Sequence, residues 1–312
     1  MKKSLMTLGG IAVVLILVYV VMSRSEQAAL APHEASNFVG VDSGAVNKIV
    51  ITRMGEEAQL ERSGEGWNVL DAGNLKRADK MIVDQIANLA HGLTVGDIIS
   101  SNSEKQMLFQ VDTLLGRKVS FYHDDQPLGT LIVGKAGSDM RSTYVRKPES
   151  ADVYLAPMPL TRLLDRPARG FRDKIISPLD TARINMVEIA SKDFHYAVVR
   201  VDSIWTVKVG NDPAFVADHA KARQLLTLVG NLRVADFVAD AVRDTIDMAA
   251  ATDLITVYLN DGTTVGLTLK AKGEPSKDYY LRFSTDNDLF SVFEGTHKGL
   301  IKKPEEYMQG GA

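Results

Sequence analysis

Trp67-Asn-Val69 and Trp205-Thr-Val207 contain the only two tryptophans in the chain, and they stand 138 residues apart. Around them the match continues in order. Val46-Asn-Lys-Ile49-Val-Ile51 resembles Ile184-Asn-Met-Val187-Glu-Ile189 at the same offset. Ala78-Asp79 pairs with Ala217-Asp218, Leu89 with Leu228, and Leu93-Thr-Val95-Gly-Asp97 with Leu232-Arg-Val234-Ala-Asp236, now at offset 139. Further on, Phe121-Tyr-His-Asp124 pairs with Tyr258-Leu-Asn-Asp261, Gly129 with Gly266, Tyr144-Val-Arg146 with Tyr280-Leu-Arg282, and Asp152-Val-Tyr154 with Asp288-Leu-Phe290, where the offset has drifted to 136. Chance does not supply this many pairings in one order. A repeat decides the architecture before any single element does, and this one predicts a tandem duplication: repeat 1 over residues 46–156, a connector over 157–183, and repeat 2 over 184–293. Residues 294–312 are left as a C-terminal tail with a fraying end.

Each repeat reads as α+β. Alternation around Ile49 and Ile51, around Val187 and Ile189, and at Trp67 and Val69 places apolar side chains on one face of a strand. Asp79 and Asp218 are expected helix N-caps. They open stripes at Val83, Ile86, Ala87 and Ala90, and at Ala222, Leu225, Leu226 and Val229, which is one buried helix face. His123-Asp124-Asp125 and Asn260-Asp261-Gly262 are hairpin turns between alternating segments. The expected class is a mostly antiparallel sheet with one principal helix per repeat.

Composition bounds the chemistry. The chain has 312 residues, 45% hydrophobic and 24% charged, with net charge -3 and no cysteine. Disulfides, thiolate metal sites and a cysteine nucleophile are excluded, and the charge balance argues against a nucleic-acid partner. The apolar residues are unevenly spread: Leu5 to Met22 carries no charge and is just long enough to span a bilayer. Lys2 and Lys3 precede it, so the positive-inside rule keeps residues 1–4 cytoplasmic and sends the rest across. The competing reading is a signal peptide cut near Ala29-Leu30-Ala31. Against it, the run exceeds a usual signal core, and Pro32 would follow the cut. Residues 23–45 read as a tether.

No catalytic constellation emerges. None of the six histidines has metal-site spacing, and His123 is matched in repeat 2 by Asn260, which suits a turn. Gly134-Lys-Ala-Gly137 lacks the phosphate-loop pattern. No cofactor is expected. Two features keep functional weight. Tyr144 with Arg146 and Tyr280 with Arg282 place an aromatic and a guanidinium on one strand face in both repeats, suited to stacking or to a carboxylate. In the connector, Arg166, Arg169 and Arg172 could meet an acidic partner or lipid headgroups.

With the N-terminal apolar run, the Trp-x-Val strand, the Ala-Asp helix opening, the Tyr-x-Arg strand and Gly170-Phe-Arg-Asp-Lys174 assembled, the chain resembles the bacterial DUF4340 family, a domain of unknown function. The resemblance implies an envelope protein linked with an ABC transporter of the gliding-motility type. It carries no active-site residues. The expectation is a non-enzymatic accessory protein, single-pass in the bacterial inner membrane with its C-terminal domains in the periplasm, partnered by a permease or auxiliary subunit. The alternative is a periplasmic ligand-binding module for a polysaccharide or peptidoglycan fragment, lined by the two Tyr-x-Arg pairs.

Overall fold

The computed structural model describes residues 38–308 and 310. The anchor expected over Leu5–Met22, the residues before it, the Ala29-Leu30-Ala31 site and the tether as far as residue 37 lie outside the described residues. Among the described residues no helix is long and apolar enough to cross a membrane. The chain divides into two compact units between Ala168 and Arg169, within the connector.

In the first unit the strands are Lys48–Arg53 (β1), Glu56–Ser63 (β2), Gly66–Asp71 (β3), Asn74–Arg77 (β4), Ile98–Ser100 (β5), Arg117–His123 (β6), Gln126–Ala136 (β7), Thr143–Arg146 (β8) and Val153–Ala156 (β9). They form one antiparallel sheet of order β4-β3-β2-β1-β6-β7-β8-β9-β5. In the second unit they are Ile175–Pro178 (β10), Ile184–Ala190 (β11), His195–Val201 (β12), Ile204–Val209 (β13), Phe215–Val216 (β14), Asn231–Arg233 (β15), Asp236–Phe237 (β16), Asp253–Leu259 (β17), Thr264–Ala271 (β18), Tyr279–Phe283 (β19) and Leu289–Val292 (β20). The large sheet here runs β14-β13-β12-β11-β17-β18-β19-β20-β16, and β10 pairs separately with β15. Strand for strand, the two large sheets have the same order.

The register keeps the apolar rows and shifts one expected pairing by a residue: Val257, not Tyr258, stands opposite Val187 as Phe121 stands opposite Ile49. Across the first sheet Val69 lies opposite Leu60, Leu60 opposite Ile49, and Ile49 opposite Phe121. Across the second, Val207, Val198, Val187 and Val257 make the same row. All eight are fully buried. A slip of one residue in any strand would turn its member of the row to the other face, so the apolar alternation holds the register. The principal helices, Lys80–Gly92 (α1) and His219–Gly230 (α2), bury all eight stripe positions expected of them. Asp79 Oδ1 accepts from the backbone N–H groups of Met81 and Ile82, and Asp218 Oδ1 from those of Ala220 and Lys221. Each cap stabilises its helix by about 1 kcal/mol.

Two segments depart from expectation. Residues 38–45, expected as the end of the tether, pack onto the first unit. The Phe38 N–H donates to Leu93 O at 2.8 Å, the Val41 N–H donates to Ala90 O at 3.0 Å, and the Phe38 ring is buried. Val39 and Val41 lie over Gly129, where a Cβ would come within 2.8 and 3.0 Å of their methyl groups. Connector residues do the same in the second unit, where the Leu179 N–H donates to Gly230 O and a Cβ at Gly230 would strike Thr181 and the Leu179 carbonyl.

The expected C-terminal tail is likewise part of the second unit. Glu294–Leu300 forms a helix (α3) and Pro304–Tyr307 a 3-10 turn; Leu300 and Tyr307 are fully buried in the core. In the first unit the short helix Leu160–Leu164 likewise follows the last strand but packs on β7 of the sheet, with Leu160 and Leu164 buried.

Candidate functional site

The two Tyr-x-Arg pairs have different surroundings. Behind β5 the first unit sends residues 103–116 back over the sheet, and this segment covers the face carrying Tyr144 and Arg146. Phe109 packs on Tyr144 with ring centroids 4.8 Å apart, and the Arg146 guanidinium donates to the carbonyls of Val111, Lys147, Pro148 and Ser150 at 2.8–3.0 Å. Arg146 is 4% exposed. In the second unit Arg282 faces solvent, and Tyr280 is half-buried under the Lys272 ammonium, 5.2 Å from its ring centroid.

The connector arginines also separate. Arg166, half-buried, donates to Arg162 O at 2.8 Å, and burial draws its pKa down against the nearby Asp79 charge. Arg169 is half-buried at the start of the second unit. Arg172 is buried, paired with Asp288 and stacked on the Phe237 ring at 3.8 Å. Expected as surface contacts, Arg146 and Arg172 are turned inward, because buried carbonyls and a carboxylate offer their donors better partners than water-screened surface charge.

One cluster had no signal in sequence spacing. Asp253, at the start of β17 and 7% exposed, accepts from Ser191 Oγ at 2.6 Å on Oδ1, while its Oδ2 lies 2.8 Å from His297 Nε2. The His297 ring stacks on Tyr279 at 3.6 Å, with a 6° interplanar angle. Burial and the Asp253 charge push the Tyr279 hydroxyl pKa up. This is not a nucleophile relay. The carboxylate stands between the hydroxyl and the imidazole, so the serine donates its hydrogen bond to Asp253 and not to the His297 ring. The cluster ties α3 to the sheet. Among the described residues no group of three His, Asp or Glu side chains is placed to hold a metal ion.

Apolar groups stay open in both units. A groove of about 750 Å³ runs between α2 and α3, with Leu228, Gly295 and Gly299 in its lining and Arg223, Gln224 and Asn231 as its polar groups. It is open to solvent and mostly apolar. Gly299 lets the helices approach, since a Cβ there would lie 2.8 Å from Leu228. The first unit exposes large apolar residues on opposite faces of its sheet and not as one surface: Ile98 is 51% exposed, Ile99 46%, Met107 62%, Leu108 61% and Leu114 62%. In the second unit the same stretch between edge strand and central strand exposes Asp240, Asp244 and Asp247, with Val242 its one large exposed apolar residue.

The family model for DUF4340, a domain of unknown function, matches residues 67–254. The chain belongs to the DUF4340 family. Its match begins inside β3 and ends inside β17, so the DUF4340 segment takes in parts of both sheets and the whole of neither. No curated protein and no solved structure matches the chain.

Proposed function

We propose that this DUF4340 protein is a membrane-anchored accessory subunit. Leu5–Met22 stands in the bacterial inner membrane, both sheet units lie in the periplasm, and the protein works by docking an envelope partner, for which the family resemblance suggests an ABC transporter permease or its auxiliary subunit. The groove between α2 and α3 carries the reading. A small-ligand site encloses most of its ligand; this groove is open and mostly apolar, with Gly295 leaving free space on one side and polar side chains among its lining, which suits an amphipathic helix of another protein.

A tagged full-length chain, extracted in mild detergent, is expected to bring down permease and ATPase subunits. Thr227→Trp, at an exposed position in the groove, is expected to abolish that recovery while leaving the circular dichroism unchanged. A chain that purifies alone, or a T227W chain that still carries its partners, overturns the proposal. The alternative ligand-binding reading draws little support from Arg146, whose donors already face four carbonyls of its own unit.

A further inference from the structure

We infer that the groove between α2 and α3 takes an acidic amphipathic helix, whose apolar face lies along Leu228 and whose carboxylates meet Arg223 and Lys302. The inference rests on the docking reading above and adds the chemistry of the partner's helix to it.

The charge around the groove carries it. No aspartate or glutamate is among the residues lining the groove, and Arg223 is the one charged side chain there. Residues 219–235, which take in the whole of α2, hold Lys221, Arg223 and Arg233 but no carboxylate, in a chain whose net charge is -3. Arg223 is exposed, and its guanidinium pairs with no carboxylate among the described residues; its contact is His219 Nδ1 at 3.4 Å. A second cation stands at the rim, where the Lys302 ammonium donates to Gln224 Oε1 at 2.9 Å. The one carboxylate of α3, Glu294, is already paired with Lys298 at 2.7 Å.

The first unit shows that the repeated helix does not require this cation. Arg223 stands at the position of Asp84, by the offset of 139 that relates α2 to α1. Asp84 is tied within its own unit, accepting from Trp67 Nε1 at 2.8 Å and from Lys80 Nζ at 2.5 Å. One helix uses a carboxylate to hold its own sheet, whereas the other places a guanidinium in the wall of an open groove.

A helix laid in an apolar groove is read through residues at i, i+3, i+4 and i+7. Leu228 and the open space at Gly295 suit such a row. Arg223 then selects the flanking charge, because a guanidinium forms two parallel hydrogen bonds with a carboxylate. A basic helix would set like charges together.

The chain lacks cysteine, so Ala220→Cys, at an exposed position in the groove wall, supplies a single thiol. Purified full-length A220C, labelled with benzophenone maleimide, is added to a detergent extract of membranes that lack the native chain, illuminated, and the adduct sequenced by mass spectrometry. The captured segment is expected to carry apolar residues at helical spacing and more Asp and Glu than Lys and Arg. Adding Arg223→Glu should lower the yield of adduct about tenfold, whereas Arg223→Lys should keep it within about threefold. Raising salt from about 50 to about 500 mM should lower it as well.

A chain that also carries Thr227→Trp and still gives the full yield overturns the groove, and the acidic helix with it. The absence of any protein adduct overturns both. A captured segment without an acidic excess, or a yield unchanged by Arg223→Glu while Thr227→Trp abolishes it, overturns the acidic helix alone and leaves the docking groove standing.

Discussion

At the scale of single residues, equivalent positions in the two units do different work. Arg146 and Arg282 occupy the same place in their strands, yet one is enclosed and the other solvated. Arg146→Ala should cost roughly 3 kcal/mol because four carbonyls lose a charged donor inside the protein, whereas Arg282→Ala should stay within about 0.5 kcal/mol. Urea denaturation of both variants checks this. The tryptophans diverge in the same way. Trp67 is 1% exposed and donates from Nε1 to Asp84 Oδ1 at 2.8 Å, with the Arg62 guanidinium 4.5 Å from its ring centroid; Trp205 is only partly buried.

Burial alone would raise the Asp84 carboxyl, but hydrogen bonds from Lys80 and Trp67 and the charges of Lys80 and Arg62 hold it below its ordinary value. A depressed carboxyl contributes stability above its unfolded pKa and loses it as pH falls through the folded value. The first unit should therefore lose up to about 1 kcal/mol below about pH 4, a modest figure because the carboxylate remains partly solvated. Asp84→Asn should remove that acid-dependent part. Fluorescence of Trp67 in a Trp205→Phe background, followed through urea at pH 7 and pH 3, reads it.

At the scale of elements, the central rows and the principal helices were legible because their signals are local: alternation for the rows, a capped stripe for the helices. The elements that close each unit were not. The Phe38–Ala45 segment looks like spacer because its anchoring is by backbone hydrogen bonds and by two valines over a glycine, none of which has a period. The α3 segment hides for a related reason, since only Leu300 is fully buried in that helix and the rest of its hold comes from Tyr307 and the Asp253–His297 contact. Deleting the chain after Phe293 should nevertheless unfold the second unit. Loss of Leu300 alone is worth about 2–5 kcal/mol, and removing Tyr307 opens a second cavity. Because each unit holds one tryptophan, Trp67→Phe and Trp205→Phe backgrounds separate the outcomes. Trp205 emission should shift to the red in the truncated chain, while Trp67 keeps its native spectrum.

At the scale of the whole molecule, the repeated motifs led the sequence reading to two similar halves, and the two large sheets have the same strand order. What the sequence did not reveal was the asymmetry: 98–114 is apolar outside and its counterpart acidic, a difference visible only once exposure is known. The structure also predicts how fragments behave. Residues 38–168 contain a complete sheet with its closing segments and should fold alone, as should 169–308. A chain cut to the family match, 67–254, lacks β1 and β2 of one sheet and β18, β19 and β20 of the other, and should show no cooperative transition. Circular dichroism melts of the three fragments test this directly.

The shortness of the outermost strands has its own consequence. Among the described residues the two large sheets are open, with edges at β4, β5, β14 and β16, the two-stranded sheet adds β10 and β15, and none of these strands is longer than four residues. An incoming chain finds too little free backbone on which to template, which is the ordinary defence of open sheets against fibre growth. Two units so rich in strand should therefore resist fibre growth through their edges as long as they remain folded.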